Sequence, residues 1–196
     1  MSKNKRKCII DFETTGSNLF EDEPIQIGAL LFEEDKGVIN EFSSFILPSR
    51  DIEISRKAFQ IHGISLNDLE GAPTQKEVLN NFFSVLGYDY SFAGWNISFD
   101  IPFFRKMCIE NELQHEYNKI NYRHLDIQSI CQILVKLRLV DSNLNSLSDF
   151  TTYFSIRRSE KHDALEDVKI TYELYLKVFK LLEENISKTT SLLQSI

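Results

Sequence analysis

Five side chains in three short segments could do chemistry here: Asp11 and Glu13 near the N-terminus, Asp100 in the middle, and His162 with Asp167 towards the C-terminus. Carboxylates hold hard divalent cations, and an imidazole beside them can move protons. Asp11 and Glu13 lie in residues 8–16, Cys-Ile-Ile-Asp-Phe-Glu-Thr-Thr-Gly. Side chains alternate along a strand, so Ile9, Asp11 and Glu13 share one face while Cys8, Ile10 and Phe12 share the other. Both faces are largely apolar, as in a central strand covered on both sides. Burying ionised carboxylates in such a strand is costly, so the pair points to a bound cation. Thr14, Thr15 and Gly16 read as the turn that ends the strand and opens a cleft.

Spacing alone does not single this pair out. With 29 Asp and Glu in 196 residues, about four such pairs arise by chance, and Glu21 with Glu23, Glu33 with Asp35, Asp51 with Glu53, and Glu110 with Glu112 repeat it. The apolar run around Asp11 and Glu13 is the distinction, and a solvated strand end is the competing reading. The second segment, residues 94–100, passes from a strand into a helix, at the strand end where ligands gather in α/β sheets. Asp100 would point from the first helical turn towards that rim, or serve only as a first-turn acid favoured by the helix dipole. Pro102 fits a first turn either way. The third segment, residues 162–167, opens the last long helix. There Ile170 and Leu174 follow Asp167 at +3 and +7, so its face of the helix turns inward. An acid heading an apolar stripe is unusual, whereas His162 by itself could be a helix cap.

The elements that must position these groups follow from periodicity. Residues 25–32 and 38–47 read as two further strands, and their close spacing favours an antiparallel meander. A short helix over 54–61 leads into His62-Gly63-Ile64-Ser65, and Thr74 with Glu77 forms a capping box for a helix through residue 86. Strands are expected over 90–95 and 122–126, and helices over 99–113, 127–139, 144–154 and 165–184. Three meander strands followed by strands alternating with helices predict an α/β fold with a mixed five-stranded sheet. Residues 1–185 read as one domain and 186–196 as a polar tail with an apolar spot at Leu192 and Leu193, either a frayed end or a docking segment.

The composition, 42% hydrophobic and 12% aromatic, supports one domain with a substantial core. No stretch has the length of a membrane span and none reads as a signal peptide, so a soluble, cytoplasmic protein is expected. The cysteines, Cys8, Cys108 and Cys131, show no metal-ligand spacing and read as reduced and buried. The net charge of -7 weighs against a protein that grips a long nucleic acid electrostatically, but not against one that handles an end through cations. The basic candidates for such assistance are Lys3, Lys5, Arg6, Lys7, Arg157, Arg158 and Lys161, against the plainer reading of solvated charge runs.

Taken together and in order, Asp11-Phe-Glu13-Thr14-Thr15-Gly16, then Asn96, Phe99 and Asp100, then His162, Ala164 and Asp167 resemble the three motifs of the DEDDh 3′-to-5′ exonucleases. That family includes proofreading subunits of bacterial replicative polymerases and RNase T. The resemblance runs from Ile9 to about Leu182. It extends to His62-Gly63-Ile64-Ser65, which looks like the family's loop near the substrate end, and to Asp126, which looks like an acid before a helix. Trp95 departs from the pattern, since many relatives carry His there, and an effect on packing near the substrate is expected.

The resemblance implies a ribonuclease H-like sheet and two Mg²⁺ or Mn²⁺ ions held by Asp11, Glu13, Asp100 and Asp167. It implies His162 as general base, with Thr14, Thr15, His62, Asn96 and Phe99 at the substrate. At about 5 Å and an effective dielectric of about 20, each ionised carboxylate pair costs about 3 kcal/mol, which cations would offset. The implied activity is release of nucleoside 5′-monophosphates from the 3′ ends of single-stranded DNA in proofreading or repair, with a DNA polymerase or repair complex as partner. Three other readings stay open: an exoribonuclease in RNA processing, a binding subunit that no longer cleaves, and an endonuclease of the same fold.

Overall fold

The computed structural model describes residues 6–158 and 163–194, apart from the side chains of Thr189 and residues 191–194. Strand β1 (Arg6–Thr14) lies at the centre of a five-stranded sheet in the order β3-β2-β1-β4-β5. It pairs antiparallel with β2 (Pro24–Glu33), which pairs antiparallel with β3 (Gly37–Phe45). On its other side β1 pairs parallel with β4 (Ser91–Gly94), and β4 with β5 (Asn121–Asp126). The expected meander and mixed sheet are both present.

The alternation along β1 divides the core into two layers. Cys8, Ile10 and Phe12 pack with α2 (Gln75–Leu86) and α3 (Ile97–Glu110) around a nest of rings in which Phe82 and Phe104 lie 4.9 Å apart. Ile9 packs on the opposite layer, with α5 (Ile127–Lys136), α6 (Leu147–Tyr153) and the long α7 (Ala164–Gln194). Two shorter helices, α1 (Arg56–His62) and α4 (Gln114–Tyr117), occupy the connections. All three cysteines are buried free thiols. The Thr74–Glu77 capping box is formed, and Asp126 caps α5 by accepting the Ser129 amide at 3.2 Å.

Several boundaries differ from the expected ones for physical reasons. Helix α3 starts at Ile97 rather than residue 99, because Asn96 takes a left-handed φ of 55° that turns β4 directly into the helix. Asparagine tolerates that conformation better than most residues. Pro102 therefore lies beyond the first turn, where its missing N–H leaves the carbonyl of exposed Ser98 to solvent. Helix α5 ends at Lys136, short of residue 139, and α6 begins only after its cap Ser146. Helix α7 runs through residue 185 without a break to Gln194, so the expected end at 184 is too early. Among the described residues no helix is long and apolar enough to cross a membrane.

Candidate active site

Asp11 and Glu13 project from β1 on the α7 side of the sheet, and their cross-strand neighbours on β2 are Gly28 and Gln26. Those two residues decide where α7 begins. A Cβ at position 28 would lie 2.2 Å from the Ala164 backbone, so the helix start rests on the sheet where a side chain would otherwise stand. Buried Gln26 grips the same turn from both ends of its amide: Nε2 donates to Asp163 Oδ2 at 2.8 Å and Oε1 accepts the Ala164 amide at 3.2 Å. Asp163 in turn caps the helix, its Oδ1 accepting the Leu165 and Glu166 amides at 3.1 and 3.2 Å. Asp167, one turn on, is thereby carried over β1, with Ile170 and Leu174 buried on its face as the spacing predicts.

Asp100 arrives from the other layer. The pairing of β1 with β4 stops at Ile9 with Ala93, and β4 turns away at Gly94. The Phe12 amide, beyond that last pair, donates to Asp100 Oδ1 at 3.0 Å instead of to a strand. This bond ties α3 to the C-terminal part of β1, and Asp100 is almost fully buried.

Asp11, Glu13 and Asp167 each offer a carboxylate oxygen, and these atoms all lie within 4.8 Å of one another. Asp100 is outside that triple but lines the same cleft, which has a volume of about 490 Å³. Burial raises the Asp11 carboxyl well above its ordinary range, with Asp100, Glu13 and Asp167 adding repulsion. Asp100 is likewise raised by burial, opposed by the Phe12 hydrogen bond. Burial, Asp167 and Asp163 together push Glu13 up to about 8. Arg158, whose Nη2 lies 3.4 Å from Asp167 Oδ1, works the other way on Asp11 and Glu13.

The remaining expected site residues separate into walls and scaffold. His62, Thr14, Asn96 and Phe99 line the cleft. His62 is buried: its Nδ1 accepts the Ile64 amide at 3.0 Å, which leaves the Nε2 proton to donate to the Thr14 carbonyl at 3.2 Å. Phe99 packs on Phe103, and Trp95 on Phe150, so both rings are core as well as wall. Thr15 does not reach the cleft. It is fully buried, its Oγ1 donating to Asp22 Oδ1 at 2.9 Å and accepting the Glu23 amide at 3.1 Å, and it shapes the loop after β1 instead.

His162 lies outside the described residues, as do Lys3, Lys5 and Lys161. Of the other basic candidates, Arg6 pairs with Glu33 and Lys7 with Glu34 at the far end of β1, and Arg158 is the one that reaches the cleft. Gln26 and Gly28 were not anticipated. Their signal is present in the sequence as a polar residue and a glycine inside the otherwise apolar run 25–32.

The donor set fits a hard divalent cation: oxygen ligands only, from three carboxylates within 4.8 Å of one another that repel when ionised. At 4.8 Å and an effective dielectric of about 20, an ionised pair repels by about 3 kcal/mol, more than one partly exposed arginine offsets for three acids.

The family model RNase_T, described as Exonuclease, matches residues 8–175. The chain is 30% identical over 176 residues to DNA polymerase III PolC-type of Thermotoga maritima, covering 90% of this chain and 12% of that protein. It is 29% identical over 186 residues to DNA polymerase III subunit epsilon of Buchnera aphidicola subsp. Baizongia pistaciae, covering 89% of this chain and 71% of that one. Among solved structures, exonuclease I from Methylocaldum szegediense superposes with a TM-score of 0.75 at 25% identity, over 91% of this chain and 40% of that chain. The chain thus spans a small fraction of the PolC-type polymerases and less than half of exonuclease I.

Proposed function

The chain belongs to the exonuclease family whose model covers residues 8–175, and from that premise we propose that it removes nucleotides one at a time from the 3′ end of single-stranded DNA. The observation that carries this reading is the convergence of Asp11, Glu13 and Asp167 within 4.8 Å at the floor of a cleft that also contains Asp100. Two Mg²⁺ or Mn²⁺ ions, when bound, would neutralise these carboxylates, lower the pKa of the attacking water and stabilise the departing oxygen. Asp11, Glu13 and Asp167, whose oxygens lie within 4.8 Å of one another, would hold the ions, and Asp100, fixed on the Phe12 amide, would add a fourth carboxylate from the same cleft.

His162 takes the proton of the attacking water. The water oxygen bonds to phosphorus as the P–O3′ bond breaks and the departing oxygen takes a proton from solvent, giving a nucleoside 5′-monophosphate and a strand shortened by one residue with a free 3′-hydroxyl. Phe99 and Trp95 offer an apolar wall to the terminal nucleotide, and Asn96 a polar group at the same rim. His62, tied to the Thr14 carbonyl, holds the loop after β1 against the cleft. The relatives named as DNA polymerase III proteins support a role in proofreading or repair beside a polymerase. Residues 1–185 form the exonuclease unit in this reading.

Incubating purified protein with linear and circular single-stranded DNA and RNA, with Mg²⁺ and with chelator, tests it. Linear DNA is expected to yield 5′-monophosphates only with Mg²⁺, and circles to survive. Cutting of circles would assign an endonuclease, preference for RNA an exoribonuclease, and binding without cleavage a non-catalytic subunit.

A further inference from the structure

We infer that Arg158 is the resident counter-ion of the acidic site, competing with divalent cations for Asp167 and displaced into the cleft when they bind. The inference rests on the nuclease reading above and concerns how the site is loaded. Arg158 Nη2 lies 3.4 Å from Asp167 Oδ1, and the two side chains are 22% and 10% exposed, so solvent only partly screens the pair. Asp167 is also one of the three carboxylates that share a possible ion position. One guanidinium therefore pairs with a carboxylate that a cation would coordinate.

Its placement is built rather than incidental. Two residues earlier, Ile156 is buried in the α6–α7 layer and its amide donates to the Thr151 carbonyl at 2.8 Å, which anchors the chain just before Arg158. Arg158 also forms part of the cleft wall itself. Once cations hold Asp167, the guanidinium lies in the space where the strand's phosphate must pass, and its planar fork suits a phosphate oxygen. The acids thus have a partner before the ions arrive, and the same residue becomes available to substrate after they do.

The test is calorimetric titration of the full chain with Mn²⁺, without nucleic acid, for wild type, Arg158→Ala and Arg158→Lys, alongside melting in chelator. Removing a competing cation is expected to tighten Mn²⁺ binding about tenfold in Arg158→Ala while lowering the melting temperature of the metal-free protein. Arg158→Lys, which keeps the charge, is expected to stay within about threefold of wild type. Unchanged or weaker binding in Arg158→Ala would overturn the inference, since a purely structural arginine would lower affinity and an idle one would leave it alone. Equal tightening in both variants would overturn it too, because charge would not be the cause. Wild type that binds no Mn²⁺ would remove the metal-dependent reading itself, a result distinct from these.

Discussion

Replacing Gly28 by alanine should damage both stability and turnover, although alanine inside a strand ordinarily improves on glycine by about 0.5–1 kcal/mol. The added Cβ would meet the carbonyl carbon and oxygen of Ala164 at 2.2 Å. Non-bonded carbons settle at about 3.5–4.0 Å, so the start of α7 must retreat by more than about 1 Å. The obstacle is helix backbone, with Ala164 itself fully buried, so no flexible side chain can swing aside. Overpacking of this kind costs about 1–3 kcal/mol. For a chain of this size that corresponds to a melting temperature lower by roughly 3–10 °C.

The same retreat carries Asp167 away from Asp11 and Glu13 and strains the Gln26 bonds to Asp163 and Ala164. A misplacement of about 1 Å in a catalytic group can cost about 100-fold in rate. Scanning calorimetry with and without Mg²⁺, and kcat/KM on a 5′-labelled single-stranded oligonucleotide, measure the two effects. A variant that melts at or above the wild-type temperature and digests within threefold of it would refute the account of how α7 is positioned.

Metal-free stability should fall as pH rises, because Glu13 binds its proton more tightly in the folded protein, at about 8, than its ordinary 4.5. The sign follows from the folded state holding more protons than the unfolded one across that window, and Glu13 alone contributes at most about 5 kcal/mol. Saturating Mg²⁺ should flatten the fall between pH 5 and 8, and Asp11→Asn should raise the metal-free melting temperature while losing the response to Mg²⁺. Melting curves that rise with pH in chelator would contradict this. The acids held below their ordinary range, Glu33, Glu77, Glu116 and Asp149, lose their stabilisation only below about pH 4.5 and do not mask it. His162→Ala should retain the melting temperature and lose most turnover, at least about 100-fold; undiminished digestion would reject its role as base.

Much of this site is legible in the sequence alone, since its acids stand out against apolar runs. Asp11 and Glu13 interrupt a strand whose two faces pack into two separate layers, and Asp167 heads a stripe that does turn inward. Strand direction was legible for a similar reason, because short connections permit a meander and helical crossovers demand parallel pairs. The face each residue takes is a local property of period two or 3.6, and local periodicity survives in one dimension.

Which acids meet was decided by contacts across the fold. Asp100 lies outside the close triple, bonded to the Phe12 amide eighty-eight positions earlier in the chain. Asp167 is brought in by Gly28 and Gln26, whose partners lie far along the sequence. Thr15 reads the same as Thr14 in the sequence but turns into the Asp22 loop. Arg158 is one of several basic residues until the fold seats it on Asp167. Residue types and their spacing thus determined which chemistry was available, whereas close approach between distant segments decided its geometry, because such approach depends on what fills the space between them.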